Sequence, residues 1–420
     1  MNKAYKIKLY PNKEQQTLIG KTIGCCRFLY NQMLNERIEV YELLKNDKKE
    51  LYSHKYKTEK QYKEEFEFLK DVSSHALQQS TRNLEQAYKN FFKRVKNKAK
   101  QVGFPKFKSK KLSKNSYKEL NGNFHQKEPL VLIKDSKLKL PKLGFVKFRG
   151  LNKDFQGKIT SVTITKNKDC TYEASILVEK NEVKKERVTD NIIGIDLGLK
   201  EFIVCSDGSI FKGIKDKLYK IEKEIKKIQK HLSRKQMVNK KLGIIDSKRY
   251  EKTRIKSAKL FKYKTNFQNH FFWHLANKLC SENQAISLED LNIQGMIKNH
   301  KLAHSISYSG WGNFVSKLEQ KSKEYDTEIF KIDRWFPSSK LCSNCGQIKQ
   351  DLKLSDRTYS CDCGLEIDRD LNASINIKNV FLKTKSLEYS DYKHGEDVRP
   401  KEIIYNFNGQ FSEKCLLEIM

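Results

Sequence analysis

Between residues 335 and 376 the chain reads W-F-P-S-S-K-L-C-S-N-C-G, then T-Y-S-C-D-C-G, then D-R-D-L-N-A-S-I-N. Cys342 and Cys345 form one C-x-x-C pair and Cys361 and Cys363 a shorter C-x-C pair, each followed by glycine. The polar, Lys-rich loop between them has too few apolar residues to bury a core of its own, so something other than packing must close it. Four thiolates at this spacing suit a tetrahedral structural zinc ion, because two short pairs let four sulfurs reach one metal. Four unrelated buried cysteines, or two disulfides, are the alternatives. Clustering of four of the ten cysteines argues against the first. The absence of a signal-peptide pattern argues against the second and predicts a reducing, cytoplasmic setting. The scattered Cys25, Cys26, Cys170, Cys205, Cys280 and Cys415 are then expected to be small buried hydrophobes.

Charge names the class of partner. The 420 residues hold 84 Lys+Arg against 51 Asp+Glu, a formal charge of +33, which is far more than solubility requires. Nucleic acid is favoured over a membrane surface: no segment approaches the roughly 18 uninterrupted apolar residues of a spanning helix, and aromatics are interleaved with the basic residues. The length suits two or three domains.

In chain order, residues 3–10 alternate and stop at Pro11, which predicts a strand. Helical spacing then runs from 13 to about 45, resumes at Glu59, and returns from 73 to 100, where Leu77, Leu84, Ala87, Tyr88, Phe91 and Val95 make one face and Ser73 or Ser74 a candidate N-cap. Gly103 to Lys111 (G-F-P-K-F-K-S-K-K) reads either as a solvated basic loop or as an aromatic-and-lysine platform for a nucleic-acid strand. From 130 to 178 the period becomes two, with breaks at Pro129, Pro141, Gly144, Gly150 and Gly157; a small antiparallel barrel is expected, joined by the strand at 3–10.

A different architecture begins at Asn191, N-I-I-G-I-D-L-G, with Asp196 expected at the centre of a buried strand. A carboxylate there needs a cation to offset its desolvation. Basic helices are expected over 216–236 and 247–281, a strand carrying Glu289 over 285–291, a helix over 312–325 and a strand over 328–333. After the cysteines, D-R-D opens a helix in which Asp370 alone would read as an N-cap. This order is the ribonuclease-H-like topology, in which carboxylates meet at the edge of a mixed sheet. Asp196, Glu289 and Asp370 there would hold two Mg²⁺ ions for phosphodiester hydrolysis. G-I-D-L-G is also similar to the phosphate loop of actin-like ATPases, but no matching Gly-rich segment accompanies it.

The strings F-P-S-S-K-L-C-S-N-C-G, D-R-D-L-N-A-S-I-N-I and G-I-D-L-G, with A-Y-K-N-F-F-K-R and F-P-K-F-K-S, resemble the transposon-encoded TnpB nucleases and the related miniature type V CRISPR effectors. The resemblance runs from Lys3 to about Lys378. It implies an α/β and β multidomain fold: a small wedge β-barrel (1–12 and 120–185) with an inserted helical recognition domain (13–119), then a RuvC nuclease domain (190–335 and 365–382) with a zinc-ribbon insertion (336–364). A tail of mixed charge (383–420) is expected to be mobile. Asp196, Glu289 and Asp370 match the family's catalytic acids, with Asp368 as the rival for the third.

The implied activity is RNA-guided cleavage of double-stranded DNA, the protein holding guide RNA and RNA–DNA heteroduplex by their backbones and reading a short flanking motif. A monomer is expected, with a dimer on one RNA as the alternative. Gln78 and Gln79 are candidates for a base edge, although an ordinary solvated helix face is the favoured account of their position. Arg82, Lys89, Lys93, Arg94, Lys106 and Lys108 are candidate backbone contacts, and the basic helices over 216–264 are further candidates for a charged channel that holds the nucleic acid. C-D-C departs from the commoner C-x-x-C and tightens the chelate, while G-E-D-V-R-P (395–400) is similar to TnpB tails. Two rival readings are a guided DNA-binding repressor without cleavage, and a transposon protein acting on DNA without RNA.

Overall fold

The computed structural model describes residues 2–99, 101–122, 129–151, 155–180, 184–244, 247–300, 302–353 and 355–385. The chain divides into two compact units, Met1–Glu182 and Val183–Met420.

In the first unit, β1 (Asn2–Tyr10) ends at Pro11 and leads into α1 (Lys13–Leu44). Asn12 and Gln15 cap that helix reciprocally: Asn12 Oδ1 accepts from Gln15 N–H at 2.8 Å and Gln15 Oε1 from Asn12 N–H at 3.1 Å. Helices α2 (Lys48–Ser53), α3 (Glu59–Glu65) and α4 (Ser74–Lys96) follow. Then come β2 (Ser116–Leu120), β3 (Leu132–Lys134), β4 (Lys137–Leu140), β5 (Gly144–Arg149), β6 (Lys158–Lys166) and β7 (Tyr172–Glu179). The antiparallel order is β2-β6-β7-β1-β5-β4-β3, so the N-terminal strand sits in the middle of a sheet whose other strands come after the helices. Leu29, Leu34, Leu77 and Leu84 from the helices share one core with Ile7, Val146, Val162 and Ile176 from the sheet.

No ladder joins β2 to β3 among the described residues, so the expected small antiparallel barrel is a half-barrel sheet. Asn121 spans the seam with its side chain instead, donating to Ile159 O and accepting from Val131 N–H. After the helices the sheet resumes at Ser116, inside the range expected for the helical insertion. Helix α4 stops at Lys96, and Val95 is exposed. Ser73 precedes α4 but does not cap it through its side chain; its hydroxyl donates to Glu119 at 2.8 Å.

The second unit opens with β8 (Asn191–Asp196), β9 (Ile203–Cys205) and β10 (Ile210–Phe211), then the helical hairpin α5 (Lys215–Lys241) and α6 (Lys248–Glu282). It continues with β11 (Asn283–Glu289), α7 (Ile293–Met296), α8 (Ala303–Ser309), α9 (Trp311–Tyr325) and β12 (Glu328–Ile332), and ends in the small hairpin β13 (Thr358–Ser360) and β14 (Glu366–Asp368) and helix α10 (Arg369–Lys385). The sheet runs β10-β9-β8-β11-β12, with β8, β11 and β12 parallel.

Side chains alternate across this sheet. Ile193, Ile195, Ile286 and Leu288 enter one core with Phe272, Leu275, Phe314 and Leu318 of α6 and α9. Ile192 and Ala285, on the opposite face, pack against Phe381 of α10. Period two therefore carries Ile192, Gly194 and Asp196, and likewise Ala285, Ser287 and Glu289, to the α10 face. Asp196 ends its strand rather than lying at its centre.

Cys25, Cys26, Cys205 and Cys280 are buried as expected, whereas Cys170 is exposed in the β6–β7 turn with φ +65°. Most of the expected tail, including Gly395 to Pro400 and Cys415, lies outside the described residues; Lys383 and Lys385 belong to α10.

Candidate functional site

Three carboxylates converge where β8 and β11 end. Ile195 is opposite Leu288 in the parallel register, so the next residues, Asp196 and Glu289, project side by side on one face of neighbouring strands. Asp370 is in the first turn of α10, one helical turn before Ser374, the residue whose carbonyl meets β8. That contact requires glycine: a Cβ on Gly194 would lie 2.2 Å from Ser374 O and 2.6 Å from Lys378 N. The first glycine of G-I-D-L-G thus serves close approach of helix to strand, not a phosphate loop. Ser287 adds a hydrogen bond to Ile377 O at 2.9 Å, fixing α10 over both strands.

The electrostatics match this convergence. Burial pushes the Asp196 carboxyl up to about 8, and repulsion from Glu289 and Asp370 adds to it. Asp370 is raised as well, by burial and then by Asp368. All three residues are half-buried rather than fully enclosed. The donors are oxygen only, the set that hard divalent cations prefer.

The two aspartates of D-R-D are given different work. Asp368 Oδ1 accepts from the backbone N–H groups of Asp370 and Leu371 at 2.9 and 3.0 Å, so Asp368 caps α10 and Asp370 does not. Arg369 donates to Lys353 O and to Ser339 Oγ in the cysteine lobe.

Sequence reading missed the side chains that lock this lobe to the site. Ser338 donates to Glu289 Oε1 at 2.6 Å. Asn376 of α10 donates to Ser338 O and Leu341 O at 2.8 and 2.6 Å, and Asn372 donates to Leu341 O while accepting from Ser343 N–H. All three are buried. The signal was present as two asparagines at i and i+4 among the buried residues of a helix, which is costly unless both are hydrogen-bonded.

The four cysteines come together, their ligand atoms all within 4.8 Å of one another. Cys342 Sγ is 3.7 Å from Cys363 Sγ and Cys345 Sγ is 3.6 Å from Cys361 Sγ, with no disulfide among them. A tetrahedron of sulfurs about 2.3 Å from one ion has edges of about 3.8 Å, so the spacing fits. Gly346 and Gly364 turn the chain at φ +78° and +89°, and their N–H groups bond back to Cys342 O and Cys361 O. A hydrogen bond from the backbone N–H of Leu365, with another from Asn344, holds the Cys363 thiol down to about 6, favouring the thiolate.

The candidate nucleic-acid residues of the first unit divide by burial. Gln78, Arg82, Lys89, Lys93, Arg94 and Lys106 are exposed. Lys108 is turned inward, its ammonium 3.6 Å from the centre of the Tyr30 ring. Gln79 is buried rather than on a solvated face, and its Nε2 has no hydrogen-bond partner among the described residues. It lines a cavity of about 220 Å³ with Arg27, Asn83, Lys108 and Lys118. Phe104 folds back edge-on to Tyr88 and Phe91, and 46% of its surface stays exposed.

Three family models match: "Helix-turn-helix domain" over residues 1–47, "Probable transposase" over 175–300, and "Cas12f1-like, TNB domain" over 311–377. The chain is similar to the Escherichia coli K12 protein InsQ, whose name describes it as an RNA-guided DNA endonuclease, at 25% identity over 89% of this chain and 91% of that one. Its fold is similar to that in the structure titled "Cryo-EM structure of the Cas12f1-sgRNA-target DNA complex", with a TM-score of 0.51 and 15% identity, covering 90% of this chain and 99% of that one. No helix among the described residues is long and apolar enough to cross a membrane. A Streptomyces pristinaespiralis protein, likewise described by its name as an RNA-guided DNA endonuclease, is 32% identical over 96% of this chain and 93% of its own, and the chain belongs with it to the TnpB family.

Proposed function

We propose that the protein is an RNA-guided DNA endonuclease whose single active site is built by Asp196, Glu289 and Asp370. The observation that carries the site is the shared face of β8 and β11, which puts two carboxylates side by side under the helix bearing the third. In this reading the five-stranded sheet with its helices is a RuvC-type, ribonuclease-H-like nuclease domain, the lobe over 336–364 its zinc ribbon, and the half-barrel with α1 to α4 the wedge and recognition parts. A divalent cation would offset the burial and repulsion that raise Asp196, and magnesium is the ion these oxygen donors suit. When bound, magnesium supplies Lewis acidity that activates a water and neutralises charge on the leaving oxygen of a phosphodiester. Ser338 orients Glu289 by holding one of its oxygens. Asp368 fixes the first turn of α10 and so the place of Asp370.

Guide RNA and RNA–DNA heteroduplex are the partners that the +33 charge suits, held by their phosphates through lysine and arginine. Gln79, with its unpartnered Nε2 in a basic cavity, is the group we assign to a flanking base edge. The protein purified from its native host should carry one discrete RNA, and the complex should cut double-stranded DNA matching that RNA in magnesium. Re-programming the guide segment should move the cut, and Gln79→Ala should change which flanking bases are accepted. Cutting that ignores the guide would sink the RNA-guided reading; loss of cutting only, with guided DNA binding intact, would favour the repressor.

Zinc is the metal we assign to the four cysteines, on the fit of the sulfur spacing. Metal analysis should return close to one zinc per chain. Cys345→Ser should lose most of it, because three thiolates bind far more weakly and metal binding is coupled to folding of the lobe. Cleavage should fall with it, since Asn372, Asn376 and Arg369 tie that lobe to α10. A metal-free variant cutting at the wild-type rate would mean that the lobe does not support the site.

A further inference from the structure

In the turn that follows β12 stands an aromatic ring with no ring or cation contact among the described residues. Trp335 is 86% exposed, whereas Trp311 is buried and Trp273 lies under the ammonium groups of Lys317 and Lys321. An indole left in water gives up the burial that makes tryptophan stabilising in a core.

Its backbone is nevertheless held firmly. Asp333 Oδ1 accepts from Trp335 N–H at 2.8 Å and Asp333 O accepts from Phe336 N–H at 3.1 Å, so Arg334 and Trp335 are the tip of a turn. The turn and the residues after it are tied to the strand end that carries Glu289: Arg334 pairs with Asp290, and Ser338 donates to Glu289 itself. Strand β12 enters the turn in register with β11, Ile332 opposite Glu289. A hydrogen-bonded turn tied to the Glu289 strand end thus carries a flat, exposed apolar ring.

We propose that Trp335 is a stacking platform for one unpaired nucleobase of the DNA strand entering that site. The proposal rests on the nuclease reading above and adds to it a contact with the substrate. A nucleobase is the occupant whose chemistry fits. Every base has a π-face, so stacking holds a single strand without demanding a sequence, as a site whose specificity lies in a guide requires. Stacking also places the neighbouring phosphate without adding a cation beside carboxylates that must bind metal themselves.

Two readouts test this in the protein carrying its RNA. With a chelator present, so that nothing is cut, a single-stranded oligonucleotide should quench tryptophan emission in the wild type, and that quench should vanish in Trp335→Phe. In magnesium, Trp335→Leu should lose roughly 5- to 100-fold in kcat/KM at unchanged zinc content, while Trp335→Phe keeps most of the rate. Walking one abasic site along the cut strand should find a position where the wild type suffers the same loss and Trp335→Leu suffers none further, the signature of a coupled pair. Trp335→Leu cutting within twofold of the wild type, or losses that multiply at every abasic position, would overturn the proposal. Quenching without any cutting would leave the stack standing and remove the nuclease reading; cutting without quenching would do the reverse.

Discussion

Asp196→Ala is expected to yield a protein that still carries its RNA and still protects matching DNA, yet gives no cut product in magnesium. The alanine removes one of three carboxylates that the β8–β11 register and α10 bring together, and with it the offset for charge on the attacking and leaving oxygens. Several kcal/mol of transition-state stabilisation correspond to a fall of roughly a thousandfold or more. Binding rests on base pairing and on lysine and arginine contacts elsewhere, so it should survive. Glu289→Ala and Asp370→Ala should behave alike. Asp368→Ala is the discriminating control: it loses an N-cap, about 0.5–2 kcal/mol of helix stability, and should keep substantial cleavage. Retained cutting in Asp196→Ala would refute the site, whereas a dead Asp368→Ala beside a live Asp370→Ala would move only its third member.

Gly194→Ala should be nearly as damaging through one methyl group. That methyl would sit 2.2 Å from Ser374 O and 2.6 Å from Lys378 N, both backbone atoms that cannot rotate away. Helix α10 must move off β8 or the strand must bend, at a cost of about 1–3 kcal/mol or more. The displacement also carries Asp370 away from Asp196, and a shift of about 1 Å can cost roughly a hundredfold in rate. A lowered melting temperature and a collapse of kcat, with zinc retained, are the expected results. Gly20→Ala is the contrast. Nothing lies within 4 Å of a Cβ there, inside the N-terminal part of α1, so the same substitution should stabilise by about 0.5–1 kcal/mol. Equal and small effects at the two glycines would show that the helix–strand contact tolerates a side chain.

Much of the site was legible because its determinants are local. Cysteine spacing is a statement about how few residues separate two sulfurs, and short turns leave little choice of geometry. The period-two and period-3.6 patterns likewise marked β8, β11, α5, α6 and α9 to within a few residues, since each element's apolar face is written along its own length. The half-barrel was legible only as a set of strands. Whether β2 and β3 meet depends on a seam that one side chain, Asn121, bridges.

By itself, then, the sequence determined the chemistry available: four thiols that can share one ion, three acids worth testing, and a basic surface suited to polyanions. Tertiary structure decided which groups act together. D-R-D contains two aspartates two positions apart, and propensity favoured Asp370 as the cap; the hairpin strand β14 instead delivers Asp368 to the helix start and leaves Asp370 facing the sheet. Lys108 and Gln79 read as surface residues until α1 and α4 packed around them. Ser338 and Glu289 are 49 positions apart, and nothing in either neighbourhood foretells a 2.6 Å hydrogen bond. Local pattern sets backbone conformation and the face each side chain presents, but contacts between distant segments depend on register and close approach, as at Gly194, which exist only once the chain has folded.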